Sequence, residues 1–367
     1  MVLSLALSTC RCRVSFTRAT PSLLCPSYQK YNQIKYLHDK SVYKTKEAKR
    51  IQFYILNRFL KYLKNYDKIL EKNFPTTMKT YRVFVDGIKY FSIDTKEYFK
   101  IVMLLNSAGG NYSKLLRREI ELYHQMPKDM MKVAPVIIFS ALPFAFYILL
   151  PLAYAFPKQI LTTHFWSTEQ KENFGIDYMH NTLIHNKPVF RHLQSQVKFI
   201  KYHPKKKIFF EAWNKIVAEI GSGVQPSVDD ILSCKELFQD EPYHLSYLSR
   251  NHIYHLLKVH GIHIGWFRRT RLADRAQILI EMDKAIMREG GVHNMPLEAL
   301  KKCCYIRVFF LGLNPKFATQ EHMIKWLTNW IKISNDIDKN TLSLLLHCPV
   351  LLGYNEQSNW CLIYPQK

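Results

Sequence analysis

Val133–Phe156 reads VAPVIIFSALPFAFYILLPLAYAF and contains no charged residue. At a helical rise of about 1.5 Å per residue it extends roughly 36 Å, enough to cross a hydrocarbon core of about 30 Å with some tilt. Thirteen of its residues are Leu, Ile, Val or Phe, and on an insertion scale they favour a bilayer by about 4–8 kcal/mol. A buried core helix is the competing reading. The run is longer than the roughly 10–14 residues typical of such helices, and Pro135, Pro143 and Pro151 would break a helix packed in a water-soluble protein. In a membrane, Ser140 or a neighbouring helix can satisfy the carbonyls that proline frees. The expectation is a single kinked span over 133–156, marked by Asp129 before it and Pro157 after it.

The flanks are polar and basic. No acidic residue precedes Asp39, while Arg11, Arg13 and Arg18 stand among serines and threonines. That composition predicts a mitochondrial presequence over residues 1–38. A secretory signal is the competitor, but its apolar run, Val2–Leu7, is short and lacks a basic region before it. The chain carries a formal charge of +23, with 52 Lys and Arg against 29 Asp and Glu, and the excess is concentrated ahead of the apolar run. Such a balance points to anionic partners, either cardiolipin-type head groups or RNA. Basic mitochondrial proteins without any anionic ligand are the plain alternative. Of the eight cysteines, none forms a CxxC pair and Cys303–Cys304 are adjacent. Scattered buried thiols are expected, not a disulfide framework or a zinc site.

Residues 39–132 read as basic amphipathic helices. Ile51, Ile55, Phe59, Tyr62, Leu63 and Tyr66 recur at helical spacing, with lysines on the other face. This helix either lies on an anionic membrane or packs on its neighbour. A second helix is expected from about Met78 to Leu105. After the loop Asn106–Asn111, a short one runs from Tyr112 to Gln125, ending at Met126–Pro127. Residues 157–367 show no sustained period-two pattern, and Pro and Gly breaks divide them into some eight to ten short helices. Ser167 with Gln170 has the spacing of a capping box. The fold class is all-α, with a single-pass membrane segment and a C-terminal multi-helix domain over 157–367.

No catalytic constellation is present: there is no GxGxxG, Walker A, HExxH or GxSxG motif. The expectation is a protein that is not an enzyme and has no cofactor. Asp336, Asp338 and Asn340 share the spacing of EF-hand ligands, but Thr341 and His347 occupy the places of the turn glycine and the bidentate glutamate. His252, His255, His260 and His263 lie close together without cysteine or carboxylate between them, and read as structural residues more than as a metal site. The strongest signal in the soluble part is Trp266-Phe267-Arg268-Arg269-Thr270-Arg271 followed by Arg275. Arg268, Arg271 and Arg275 fall on one helical face, where guanidinium forks match phosphate of RNA or of a lipid head group. A solvated face paired with Asp274 is the alternative. Lys205, Lys206 and Lys207 form a second, weaker patch.

Leu115–Phe165 resembles the membrane segment of the LETM family, through Asp129, the internal Pro143-Phe144 and Phe156-Pro157. Arg268–Ser334 is similar to that family's ribosome-binding-like core, with Asp283-Lys284 in one helix and Trp326, Leu327 and Trp330 in the next. LSLLLHCPVLL, Leu342–Leu352, closes the domain. The resemblance is nearest to the short LETM-domain-containing branch and covers most of residues 112–355. It implies a 14-3-3-like helical domain in the mitochondrial matrix and an inner-membrane location. It also implies association with mitochondrial ribosomes and support of membrane protein biogenesis, mitochondrial structure and respiration. The EF-hands and coiled coil of the long members are absent, and Ile306–Leu313 departs from the family's short Arg-Gly turn. K⁺/H⁺ or Ca²⁺/H⁺ exchange is a competing function. It would need a homo-oligomer, since the apolar run carries no ionisable residue. A structural or regulatory membrane protein without ribosome contact is the third. Charge counting places the N-terminal flank in the matrix, whereas the resemblance places the C-terminal domain there and that flank in the intermembrane space; the expectation follows the resemblance, because presequence-led import can override flanking charge.

Overall fold

Among the described residues, most amphipathic runs between Pro and Gly breaks become helices. This computed structural model describes residues 75–140, 155–307 and 319–363, with Tyr54, Arg58, Leu152 and Ala153. The chain divides into Met1–Met78 and Lys79–Lys367, and the fold is that of the second unit. Among the described residues there is no strand. The expected presequence, most of the amphipathic helix before Pro75, and Pro143 and Pro151 lie outside them.

A helical hairpin comes first, with α1 at Pro75–Ser107 and α2 at Arg117–Ser140. The expected stop at Met126–Pro127 does not occur: α2 runs through both Pro127 and Pro135. Proline costs a helix interior about 3 kcal/mol. Here Ile120 and Met126, each fully buried, hold the helix against its neighbours on the near side of Pro127. After the apolar run come a short α3 (Pro157–Ile160) and a 3₁₀ turn, Thr163–Phe165. This turn lies against α1 at Gly87, where a Cβ would stand 2.6 Å from Phe165 Cδ1 and 2.9 Å from His164 O. Only glycine allows that approach.

The remaining helices are α4 (Thr168–Leu183), α5 (Asn186–Ser195), α6 (Val197–Tyr202), α7 (Phe210–Gly221), α8 (Val228–Ser233) and α9 (Arg250–Val259). They continue with α10 (Arg268–Arg288), α11 (Leu297–Ile306), α12 (Gln320–Asn335), α13 (Leu342–Gly353) and α14 (Gln357–Ile363). The capping box at α4 has both bonds: Gln170 N donates to Ser167 Oγ at 3.2 Å and Ser167 N to Gln170 Oε1 at 3.0 Å. LSLLLHCPVLL forms α13, buried on every side from Ser343 to Gly353, as a helix apolar all round must be, and α14 follows it. Around α13 lie Trp213, Phe238, Tyr243 and Trp330, each almost wholly buried. Tyr243 joins them, accepting from Trp213 Nε1 at 2.8 Å and donating to Leu193 O at 2.7 Å. Cys234, Cys303, Cys304 and Cys348 are buried free thiols, and burial pushes Cys304 up to about 12.

The hairpin packs on α10, so packing continues across residue 157. Ile101, Leu105, Leu115 and Ile120 bury against Met282 and Ala285. The two helices are antiparallel. Arg117 N donates to Glu289 Oε1 at 2.5 Å, and Arg288 Nη2 reaches Leu115 O at 3.2 Å. One end of α10 is thus tied to the start of α2.

The two flanks of the apolar run come together. Lys132 Nζ donates to Lys158 O at 2.7 Å, and it lies 5.5 Å from the ring centre of Trp166. Val133 and Ala153 bury in one cluster with Leu161 and Phe165. A straight helix would part residues 132 and 158 by about 39 Å. The run therefore begins and ends at one place. Among the described residues no helix is long and apolar enough to cross a membrane; residues 141–151 are outside them.

Candidate functional site

The start of α10 is an electrostatic conflict. Its first turn is Arg268-Arg269-Thr270-Arg271, without an acidic residue and without a side-chain cap. A helix N-terminus already carries unsatisfied N–H groups and the positive end of the dipole, which favour an anion and oppose cations. Phe267, just before it, holds φ 55° and ψ 42°, the left-handed region that costs an ordinary L-residue about 1–2 kcal/mol. Carbonyls brace this knuckle. Arg271 Nη1 donates to His263 O at 2.6 Å, and Arg268 Nε to Gly265 O at 3.3 Å. A Cβ on Gly265 would meet Arg271 Nη1 at 2.9 Å. Arg269 reaches the 240–249 loop, donating to Leu245 O at 3.0 Å and Leu248 O at 2.9 Å. Carbonyls do not cancel charge. None of these three guanidiniums pairs with a carboxylate among the described residues, and Asp274 is exposed without an ion pair there.

Arg275 leaves this set. Its Nη2 donates to Ile306 O at 2.9 Å, its Nε is buried without a partner, and burial works against its charge. It shares the helical face of Arg268 and Arg271, but α11 and its C-terminal turn cover that part of α10. The lysine patch has a comparable split. Lys206 Nζ bonds to Glu241 O, while Lys205 and Lys207 are exposed. Lys206 and Arg269 hold opposite parts of the same loop, Glu241 and Leu245–Leu248. Four residues span at most about 14 Å, so the fold brings together two patches that lie far apart in sequence.

A second feature was not legible in the sequence. A cleft of about 530 Å³ is lined by Asp94, Glu121, Asp129, His164, Lys171 and Lys302, among others. His164 Nε2 and Asp94 Oδ2 are 2.9 Å apart. Glu121 is held by Arg117 at 2.9 Å and Lys302 at 2.5 Å. Asp129 Oδ2 is buried and has no hydrogen-bond partner. Burial raises its pKa, opposed by His164 and a hydrogen bond from Gln125. Of the other proline markers, Pro135 lies inside α2 and Pro157 begins α3.

The four histidines do not converge. His252 Nε2 lies 3.0 Å from His347 Nε2, and His255 Nδ1 lies 3.0 Å from His185 Nδ1. His260 Nε2 bonds to Leu346 O at 2.9 Å, and His263 is exposed. Asp336 pairs with Lys235 at 2.7 Å. Among the described residues no group of three or more His, Cys, Asp or Glu is placed to hold a metal ion.

Burial holds His252 well below its usual value, with His347 adding to the shift, and lowers His347 to about 4 and His260 to about 3. Above about pH 6.5 these rings are neutral folded and unfolded, so they add no pH dependence. Below it the unfolded chain takes up protons that the native state refuses. Stability is expected to fall as pH drops from about 6.5 toward 4, by up to about 1.4 kcal/mol per pH unit for each histidine. Urea unfolding at several pH values measures this slope. His347→Gln should flatten it; an unchanged slope would remove His347 from the effect.

A family model described as LETM1-like, RBD matches residues 115–351. LETM1 domain-containing protein 1 of Xenopus tropicalis is 30% identical over 295 residues, covering 79% of this chain and 81% of that protein. The Homo sapiens protein of the same name is 28% identical over 318 residues, covering 84% of each chain. No solved structure matches. The helical core, with Asp283, Trp326 and Trp330 buried, lies within the matched residues, and the chain belongs to the LETM1-like RBD family.

Proposed function

We propose that this protein is a mitochondrial inner-membrane adaptor that binds the mitochondrial ribosome and supports membrane protein biogenesis, mitochondrial structure and respiration. The apolar run at 133–156 attaches it to the membrane, where anionic lipids such as cardiolipin are partners, and the helical domain lies in the matrix. The cations gathered around the 240–249 loop carry the reading. Lys205, Lys207 and Arg269 present charge that no carboxylate among the described residues pairs with, as a surface for RNA phosphate requires.

Co-sedimentation of the full chain in detergent with purified mitoribosomes across a salt series tests it. Binding is expected to weaken steeply with salt. Lys205→Glu with Lys207→Glu, which removes no hydrogen bond of the described fold, should lower the salt slope by about 2. Loss instead on Arg268→Glu with Arg271→Glu would move the contact to the start of α10. Binding untouched by either pair would sink the residue assignment, and no binding at low salt would sink the ribosome reading.

A second reading, K⁺/H⁺ or Ca²⁺/H⁺ exchange, draws on Asp129, whose Oδ2 is buried without a hydrogen-bond partner in its polar cleft. Cation flux into vesicles that persists in Asp129→Asn would remove that support. Neither ribosome binding nor flux would leave a structural membrane protein.

A further inference from the structure

Trp266 and Phe267 are 88% and 78% exposed, and Trp266 is the most exposed large apolar side chain among the described residues. Among the described residues no ring or cation contact uses either ring, yet Phe267 holds a costly backbone conformation and two arginine–carbonyl bonds fix the loop behind it. Their position follows from the α2–α10 register. Arg117 is level with Glu289, Ile120 packs with Met282 and Ala285, and Lys128 feels the charges of Arg275 and Arg271. Each step along α2 is a step back along α10. Continued by one further turn, this register sets Arg268 level with Lys132 and the two rings level with the first residues of the apolar run. Lys158 and Trp166 are at the same level, through their contacts with Lys132.

We infer that Trp266 and Phe267 form a second membrane contact, lodged at the boundary between head groups and acyl chains beside the start of the apolar run. This rests on the membrane attachment proposed above. Tryptophan favours this boundary because its ring is apolar and its N–H is polar. Arg268 and Arg271 flank the rings, where guanidinium groups meet lipid phosphate. The partner is an anionic phospholipid surface. The helix-start conflict is relieved there, since phosphate supplies the negative charge that the uncapped N–H groups and the arginines both lack. Single-stranded RNA also offers phosphates and stackable rings. The continuity of the rings with the apolar run favours lipid.

The test uses the full chain reconstituted in phosphatidylcholine–cardiolipin vesicles, with bromine-labelled acyl chains as quencher and aqueous acrylamide as its counterpart. Flotation first establishes that the protein stays with the vesicles. The emission lost between wild type and Trp266→Phe isolates Trp266 from the other tryptophans. That difference is expected to be quenched by the brominated lipid, shielded from acrylamide and unaffected by added single-stranded RNA. Phe267→Ala should return it toward acrylamide access. Flotation together with full acrylamide access of Trp266 would overturn the knuckle contact and leave the membrane attachment standing. Shielding that appears only on adding RNA would overturn it in favour of a nucleic-acid platform. Failure to float would remove the attachment reading, and this inference with it.

Discussion

Asp283→Ala is expected to destabilise the domain by about 3–5 kcal/mol, a large part of the 5–15 kcal/mol that holds a typical domain together. Asp283 and Arg307 are both wholly buried and form an ion pair. The second carboxylate oxygen accepts from Trp330 Nε1 at 3.0 Å. Arg307 Nη1 donates to Cys303 O at 3.0 Å, and the guanidinium lies 5.9 Å from the Trp330 ring centre. Burial works against the charge of Arg307, and the Asp283 carboxylate turns the balance upward. Removing the carboxylate leaves a cation in a dry core. Asp283→Leu with Arg307→Met removes both charges and should recover most of the loss. Denaturant unfolding of the full chain in detergent measures all three. A loss below about 1 kcal/mol for Asp283→Ala would mean that water reaches the pair and that the core is not closed around it.

The second large effect is all-or-none. Cysteines placed at Lys128 and at Glu169, both exposed, should label from the same side of a sealed vesicle with a membrane-impermeant maleimide. The background has Cys10, Cys12, Cys25 and Cys361 replaced. The contact between Lys132 and Lys158 requires this result, because residues on either side of a single crossing would label from opposite sides. Same-side labelling also removes the conflict met in the sequence. Arg117, Arg118, Lys128 and Lys132 draw the leading flank toward the matrix, and the family resemblance places the trailing domain there. Both hold when the flanks share one side. Opposite-side labelling would restore the single span and detach Lys132 from Lys158.

The helical class was legible because its signals are local. Ser167 and Gln170 are three residues apart, the breaks at His203-Pro204, Gly221–Gly223 and Gly290-Gly291 all fall at or just beyond helix ends, and the apolar density of α13 announces a buried helix. What escaped depends on distant partners. Asp283 sits in the string Glu-Met-Asp-Lys, which carries no local sign of burial; only Arg307, 24 residues on, and Trp330, 47 residues on, mark it as buried. Arg275 shares a face with Arg268 and Arg271, but periodicity does not say where a neighbouring helix ends its cover. The cleft around Asp129 draws on α1, α2, the Thr163–Phe165 turn and α11. The lysine and arginine patches meet only because one loop carries the acceptors for both.

The meeting of Lys132 and Lys158 bears finally on how the chain reaches its place. A single span would require one flank to be translocated. If that flank were residues 39–132, 20 lysines and arginines against 10 aspartates and glutamates, a net charge of +10, would have to cross, at about 2.3 kcal/mol per elementary charge for each 100 mV opposing the movement. With both flanks on one side, no hydrophilic segment has to cross. The uncharged stretch can then enter the bilayer from the side that holds them, without an export machine.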